Sequence, residues 1–204
     1  MTAPFSADLD VSRETTDRLR QLERLLIKWN PAINLVSKAT LPQVWDRHIV
    51  DSAQIYRLAP PASHWVDLGS GGGFPGLVIA CLAAELCPNM KVTLVESDQR
   101  KATFLREAAR ELLLKTNVIS ARIETVDPLS ADVLSARALA PLSDLLAYAN
   151  RHMRPDGVAL FPKGASWRDE VARAQEGWHF DCDTHPSATD PHGAILAVKA
   201  IRHV

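Results

Sequence analysis

The chain has 204 residues, a length that predicts one large domain, or one domain with an extension, and excludes two full domains. Hydrophobic residues make up 47% and charged residues 23%, so the composition is globular and excludes a disordered or collagen-like chain. The net charge of −1 excludes a global positive field, so any nucleic-acid site must be local.

Cysteine usage and the N-terminus indicate the cellular compartment. Cys81, Cys87 and Cys182 form no C-x-x-C pair and are odd in number, which is typical of a reduced cytoplasmic protein. The first ten residues lack the basic and apolar regions of a signal peptide. The longest apolar run, residues 77–87, is too short to span a bilayer. We therefore expect a cytoplasmic protein without a membrane segment.

The first sixty residues are predicted to be helical. Residues 12–30 place their leucines on one face of an amphipathic helix, which Pro31 is expected to end. A second helix is predicted over residues 43–58, between two proline-containing segments. We expect these helices to form an N-terminal cap over residues 1–60.

From residue 64 onward, short apolar strands alternate with helical segments. Five strands are predicted at 65–68, 91–96, 117–121, 133–136 and 158–161. Because these runs are continuously apolar, they favour a parallel sheet that is covered on both faces. Two further strands, at 178–182 and 195–200, are expected to form a hairpin. The sequence predicts a doubly wound α/β domain over residues 61–204, forming one compact unit.

A glycine-rich segment, residues 67–76, follows the first predicted strand and opens the first helix of this domain. Glycines let the backbone turn sharply and let a ligand lie against the amides. The position at the carboxyl end of a strand predicts a nucleoside-bearing cofactor. The G-x-G-x-x-G pattern over residues 71–76, with Glu96 about 20 residues on, fits an NAD site.

A fuller pattern in the same segment favours a different cofactor. Asp67, Gly69, Gly71 and Gly73 alternate along the loop, and Glu96 ends the second strand. This arrangement is similar to the S-adenosylmethionine site of class I methyltransferases and accounts for Asp67 as well. In this interpretation the glycines admit the methionine part of the cofactor, and Glu96 accepts hydrogen bonds from the ribose diol. We therefore favour S-adenosylmethionine over NAD.

Local strings elsewhere in the chain carry a closer resemblance. The strings are Lys28-Trp29-Asn30, Ile33-Asn34-Leu35, Arg47-His48-Ile49-Val50-Asp51-Ser52, the loop at 67–76, Glu96-Ser97, Arg100-Lys101, Phe104-Leu105, Arg137-Ala138 and Lys163-Gly164. In order and spacing, over about residues 20–165, they resemble the bacterial 16S ribosomal RNA guanine-N7 methyltransferase family, also called glucose-inhibited division protein B. The chain departs from the family in carrying Glu96-Ser97-Asp98 where Asp-Ser-Leu is usual, but it keeps the carboxylate.

The resemblance implies a Rossmann-like class I methyltransferase that methylates N7 of one guanine in 16S rRNA, with S-adenosylmethionine as methyl donor. By position, it implies cofactor contacts at Gly69, Phe74, Glu96, Ile123, Glu124 and Arg137.

Guanine N7 already presents an in-plane lone pair, so its methylation needs no general base. Positioning of the base is therefore expected to dominate catalysis. We expect Arg137 and Lys163, after the fourth and fifth strands, to orient cofactor and RNA. Asn34, Arg47 and His48 are expected to close the pocket from the cap.

Structural interpretations stand beside these roles. Arg47 could form a surface ion pair with Asp51 four residues on, and Arg137 could form a structural salt bridge. Asn34 could be a turn residue or a helix cap, His48 a half-buried structural histidine, and Lys163 part of a solvated turn.

Other functions also remain open at this point. The chain could be a class I methyltransferase for a small molecule or protein, an NAD-dependent oxidoreductase, or a silent cofactor-sensing or RNA-binding module. The histidines and cysteines show no metal-binding spacing, so no metal site is expected. Since the chain is nearly neutral, we expect the 16S rRNA that the resemblance implies to be recognised once ribosomal proteins have shaped it, within a subunit or assembly intermediate. We also expect a monomer.

Overall fold

The computed structural model describes residues 9–204. A seven-stranded sheet forms its centre, in the order β3-β2-β1-β4-β5-β7-β6. The strands are β1 His64–Leu68, β2 Lys91–Glu96, β3 Thr116–Ser120, β4 Ala131–Ser135, β5 Met153–Lys163, β6 Trp178–Pro186 and β7 Ala194–His203. The first five strands are parallel, and β7 runs antiparallel to both β5 and β6. The predicted parallel sheet and the C-terminal hairpin are both confirmed.

Helices cover both faces of this sheet. They are α1 Arg13–Ile33, the short α2 Asp51–Ala53, α3 Gly76–Leu86, α4 Gln99–Glu111, α5 Leu142–His152 and α6 Trp167–Ala174. Adjacent residues of β1 show the two-sided burial, because Trp65 belongs to one hydrophobic cluster and Val66 to the other. Burial on both faces explains why the parallel strands are apolar without alternation.

The N-terminal helix runs further than its sequence predicts. Ser12 caps its first turn by accepting a hydrogen bond from the Thr15 N–H. Pro31 was expected to end the helix, but that prediction is wrong, since α1 continues to Ile33. Pro31 and Ile27, four residues before it, both lie on the exposed side, so the ring does not disturb the buried face. Asn34, in a left-handed conformation, ends the helix instead.

The second predicted helix is present but irregular. Over residues 41–58 the chain forms four short pieces: a 3₁₀ turn at Leu41–Gln43, a π-helix at Trp45–Val50, α2, and a 3₁₀ helix at Gln54–Leu58. The prediction of one regular helix is therefore corrected. Single π-helical turns are common at functional sites, and this one carries Arg47 and His48.

The N-terminal helices and the α/β segment share one hydrophobic cluster. Leu22 and Leu26 of α1 belong to the same buried cluster as Leu77 of α3 and Phe104 of α4. The cap boundary near residue 60 stays a prediction. Within residues 9–204 no helix is both long and apolar enough to cross a bilayer. The signal-peptide prediction falls on the first ten residues, of which the first eight lie outside the described part.

Candidate active site

A cavity of about 1060 Å³ opens beyond the carboxyl ends of β1, β2, β4 and β5. In an open parallel sheet this edge, where the strand order reverses around β1, is the usual place for a ligand. The predicted site residues that line it are Arg47, His48, Gly69, Gly71, Phe74, Glu96, Ile123, Glu124, Arg137 and Lys163. Asn34, Asp67 and Gly73 lie outside the lining formed by the described residues.

Three glycines of the loop, Gly69, Gly71 and Gly73, have positive φ angles, and the last two serve different purposes. Gly71 has φ +53°, and a Cβ there would meet no atom nearer than the Gly69 carbonyl oxygen at 3.7 Å. Gly73 has φ +87°, but a Cβ there would meet the Leu77 side chain at 2.5 Å. Gly71 therefore leaves room inside the cavity, whereas Gly73 is required for the loop to pack on α3.

Asp67 is buried behind this loop and hydrogen-bonds its last residue. Its side chain is fully buried, and its two oxygens accept hydrogen bonds from the Gly76 N–H at 3.1 Å and the Ser135 hydroxyl at 2.7 Å. Burial raises the pKa of the Asp67 carboxyl to about 6, although these hydrogen bonds act in the opposite direction. The structure thus places Asp67 between the end of the loop and β4.

Glu96 joins the loop to the end of β2. Its carboxylate accepts hydrogen bonds from the N–H groups of Gly71 and Asp98, each at 2.8 Å. The residue is only 7% exposed, yet it lines the cavity. Each carboxylate oxygen has two lone pairs, so Glu96 retains acceptor capacity for a ligand hydroxyl. Farther along the wall, buried Ile123 lies beside Glu124, which accepts a hydrogen bond from the Tyr148 hydroxyl.

Arg137, which follows β4, contacts the helical segment over residues 45–53. Its Nη1 donates to Asp51 Oδ2 at 3.0 Å and to the Arg47 carbonyl oxygen at 3.2 Å, and its Nη2 donates to His48 Nδ1 at 2.9 Å. The guanidinium carbon lies 5.2 Å from the centre of the Phe74 ring. Each side chain of the Arg137–Asp51 ion pair is 17% exposed. Among the described residues Asp51 pairs with Arg137, so the expected alternative of an Arg47–Asp51 pair is wrong.

His48 is fixed in one neutral form by its neighbours. Because its Nδ1 faces a donor, it must accept, and the proton lies on Nε2, which donates to Thr40 Oγ1 at 2.9 Å. The imidazole stacks on the Phe74 ring with 5.1 Å between centres. Burial, together with the charges of Arg137 and Arg47, lowers the pKa of His48 to about 4. His48 is therefore uncharged at neutral pH.

Lys163 is held at the end of β5. Its Nζ donates to the Ala140 carbonyl oxygen at 2.9 Å and to Glu170 Oε2 at 2.8 Å, and its side chain is 10% exposed. Glu170 also accepts a hydrogen bond from the Leu142 N–H. The alternative of a solvated turn at Lys163 is therefore wrong, because the ammonium group is paired and largely buried.

Asn34 is placed as the C-cap of α1 rather than in the cavity wall. The residues that follow it, Leu35 to Ser37, do line the cavity. Nearby Asn30, which is buried, accepts a hydrogen bond from the Val36 N–H at 2.8 Å and holds this stretch. The structural interpretation of Asn34 as a helix cap is confirmed by its geometry.

Sequence reasoning missed two residues of this site. Asp51 occurs in the Arg-His-Ile-Val-Asp-Ser string, but it was considered only as an ion-pair partner. Thr189 lies in the turn-rich segment between β6 and β7, where no motif marks it. Its hydroxyl donates to Asp51 Oδ1, which also accepts a hydrogen bond from the Gln54 amide at 2.9 Å. Only the string around Asp51 gave a signal that could have been followed.

Metal ligands are not grouped around this cavity. Within the described part of the chain, no three His, Cys, Asp or Glu side chains are arranged so that they could hold a metal ion.

A family model and highly similar curated relatives assign the same family to this sequence. The family model GidB, described as rRNA small subunit methyltransferase G, matches residues 15–196. A ribosomal RNA small subunit methyltransferase G from Ruegeria pomeroyi is 52% identical over 204 residues, covering 100% of both chains. One from Cereibacter sphaeroides is 54% identical over 197 residues, covering 96% of this chain and 95% of the relative.

Solved structures agree on the fold. A TehB-like SAM-dependent methyltransferase from Corynebacterium glutamicum has a TM-score of 0.57 at 15% identity, covering 88% of this chain and 97% of that one. A mutant of MtNAS in complex with S-adenosylmethionine has a TM-score of 0.59 at 16% identity, covering 91% of this chain and 75% of that one. These likenesses show the fold, and they confirm the predicted Rossmann-like class I architecture. The chain belongs to the GidB family of ribosomal RNA small subunit methyltransferases.

Proposed function

We propose that this chain uses S-adenosylmethionine to methylate N7 of a guanine in 16S rRNA. Membership of the GidB family, with relatives at about 50% identity over the whole chain, supports ribosomal RNA methyl transfer. The observation that carries the cofactor assignment is the Gly71–Glu96 pair, which places a carboxylate beside open backbone at the cavity wall.

The residues of the cavity fit this cofactor. Gly71 leaves the space that a Cβ would fill, and Glu96 keeps lone pairs for a ribose diol. Phe74, Ile123 and Glu124 extend the same wall. Bound S-adenosylmethionine supplies an electrophilic methyl group on a sulfonium. Asp67 acts beneath the loop, and we assign it a supporting role rather than a cofactor contact.

The remaining residues position the guanine. Among the described contacts, Arg137 uses three of its five N–H donors, which leaves Nε–H and one Nη2–H for a substrate oxygen. Guanine N7 must keep its lone pair free for methylation, so these donors suit guanine O6 or a phosphate oxygen. Lys163 adds a second fixed cation in the wall. Neutral His48, stacked on Phe74, contributes shape rather than charge.

RNA binding depends on local cations, because the net charge is −1. Arg47, Lys101 and Arg122 line the cavity together with Arg137 and Lys163. Such a small group of phosphate contacts favours an RNA that ribosomal proteins have already shaped. We therefore propose a small-subunit or assembly-intermediate substrate. A monomeric enzyme in the cytoplasm, where ribosomal RNA is its substrate, completes the proposal.

Tritium transfer from labelled S-adenosylmethionine tests this function. Three acceptors are compared: small subunits from cells that lack this chain, deproteinised 16S rRNA, and an extract of proteins and metabolites free of ribosomes. We expect label in 7-methylguanosine from the subunits and much less from naked RNA. Equal labelling of naked RNA would overturn the subunit substrate. Label confined to the ribosome-free extract would overturn the RNA function itself.

A further inference from the structure

Asp51 is the point where three parts of the cavity wall meet. It belongs to the N-terminal cap, its Oδ2 accepts from Arg137 after β4, and its Oδ1 accepts from Thr189 between β6 and β7. Arg137 is 86 residues away in sequence and Thr189 is 138 residues away. A single carboxylate thus connects the N-terminal helical segment to the residue that follows β4 and to the β6–β7 loop.

The first connection fixes the orientation of the Arg137 guanidinium. Asp51 and the Arg47 carbonyl hold Nη1, while His48 holds Nη2. These contacts occupy three of the five N–H groups. The Nε–H and the second Nη2–H remain as donors for an acceptor in the cavity. Without Asp51, only neutral acceptors would hold the group.

The second connection fixes the β6–β7 loop. Ser187, Thr189 and Asp190 all line the cavity. The Thr189 hydroxyl donates to Asp51, and the Gln54 side-chain oxygen accepts from the Ala188 N–H at 2.8 Å. Gln54 also donates to Asp51 Oδ1, so Asp51 and Gln54 together hold this loop. We call this pair of residues the clasp on the loop.

We infer that Asp51 is a positioning residue for the methyl transfer, acting through Arg137 and through the loop at residues 187–190. This inference rests on the proposed function. Asp51 sets the orientation of the guanidinium and so of its two unused donors, and it holds the loop as a wall of the substrate pocket. A shift of about 1 Å in such a positioned group can cost about 100-fold in rate.

The first test replaces Asp51 with asparagine, which keeps the shape and removes the charge. We expect kcat on small subunits to fall about 100-fold, with little change in KM or in the melting temperature. The matched control is Asp46→Asn, which makes the same change at an exposed position outside the described cavity lining. A role in folding alone would lower the melting temperature and leave the kcat of the folded fraction unchanged.

A second pair of variants leaves Asp51 in place. Thr189→Val removes the hydroxyl that donates to Asp51, and Thr189→Ser keeps it. We expect Thr189→Val to lower kcat/KM and to speed amide hydrogen exchange over residues 187–190. Thr189→Ser should keep kcat/KM and the exchange rates near those of the wild type. This pair decides the question if Asp51→Asn fails to fold.

The outcomes separate this inference from the function on which it rests. If the wild-type enzyme produces no 7-methylguanosine in subunits, the proposed function fails. If the wild type is active and Asp51→Asn matches Asp46→Asn in kcat, the positioning role of Asp51 is overturned. If Thr189→Val equals wild type in both rate and hydrogen exchange, the clasp on the loop is overturned.

Discussion

The backbone N–H of Gly71 donates to Oε2 of Glu96 at 2.8 Å, joining the loop after β1 to the end of β2. This hydrogen bond within the protein fixes the position of the Glu96 carboxylate. A ligand that enters the cavity therefore meets an acceptor whose position is already set. Preorganisation of this kind reduces the entropy lost on binding.

Replacing Glu96 with glutamine should weaken cofactor binding. Glu96 accepts from two N–H groups, and a glutamine amide would present its own donors to one of them. Because hydrogen bonds to charged groups contribute about 1.5–3 kcal/mol, we expect the Kd for S-adenosylhomocysteine to rise at least about tenfold. Isothermal titration calorimetry measures this, with Glu107→Gln on the exposed face of α4 as control. An unchanged Kd would contradict the role of Glu96.

Replacing Asp67 with alanine should destabilise the fold. The change leaves the Gly76 N–H and the Ser135 hydroxyl without their acceptor in a fully buried place. Each unpaired group costs about 1–3 kcal/mol in the free energy of unfolding. Urea unfolding tests this. Asp67→Asn, which keeps one acceptor and can donate to the Ser135 oxygen, should lose less, and equal stability of wild type and Asp67→Ala would refute the account.

His48 should make stability sensitive to acid. Its pKa of about 4 in the folded state lies below the ordinary 6.5, so between these values the unfolded chain binds the proton more readily. The contribution of His48 is complete above about pH 6.5 and is lost as the pH falls toward 4. His48→Gln can accept from Arg137 and donate to Thr40 without titrating.

Melting temperatures at neutral and mildly acidic pH test this effect. We expect the drop on acidification to be smaller in His48→Gln than in wild type. His192→Gln, at an exposed position, serves as control and should follow the wild type. Identical acid sensitivity of wild type and His48→Gln would show that His48 is not the titrating group.

Arg137 and Lys163, two of the cations that line the cavity, should control the rate of methyl transfer. Arg137→Lys keeps the charge but loses the planar fork, and Lys163→Ala removes the ammonium that Glu170 and Ala140 hold. We expect single-turnover methylation to fall about 100-fold in each folded variant. Arg13→Ala, which removes a surface cation on α1, is the control. Near-normal rates in both variants would remove these roles.

Contiguous patterns in the sequence were sufficient for most of the fold. The limits of β2 at Lys91–Glu96 agree with the predicted strand at 91–96. Strand β5 begins at Met153, five residues before the predicted start at residue 158. The prediction missed these residues because they include the exposed Arg154 and Asp156, which carry no apolar signal. The predicted helix end at Pro31 was wrong because the disruption that a proline causes depends on which side of the helix it occupies, and the sequence alone did not give that side.

The site divides in the same way. The glycine loop and Glu96 could be predicted because the loop follows one recognisable strand and Glu96 ends the next. The Asp51–Thr189 contact could not, since it joins residues 138 positions apart and one of them lies in a segment without a motif. Asp67 shows a third case: the pattern marked the residue, but only burial and hydrogen bonding reveal that it supports the loop from below.

Mass mapping of 7-methylguanosine in 16S rRNA from cells with and without this chain tests most sharply whether the chain methylates guanine N7. We expect one guanine to carry the N7 methyl group and to lose this modification when the chain is absent. The modification should return with the wild-type chain and with Asp46→Asn, and it should be strongly reduced with Asp51→Asn. An unchanged set of 7-methylguanosine positions in cells lacking the chain would contradict the account.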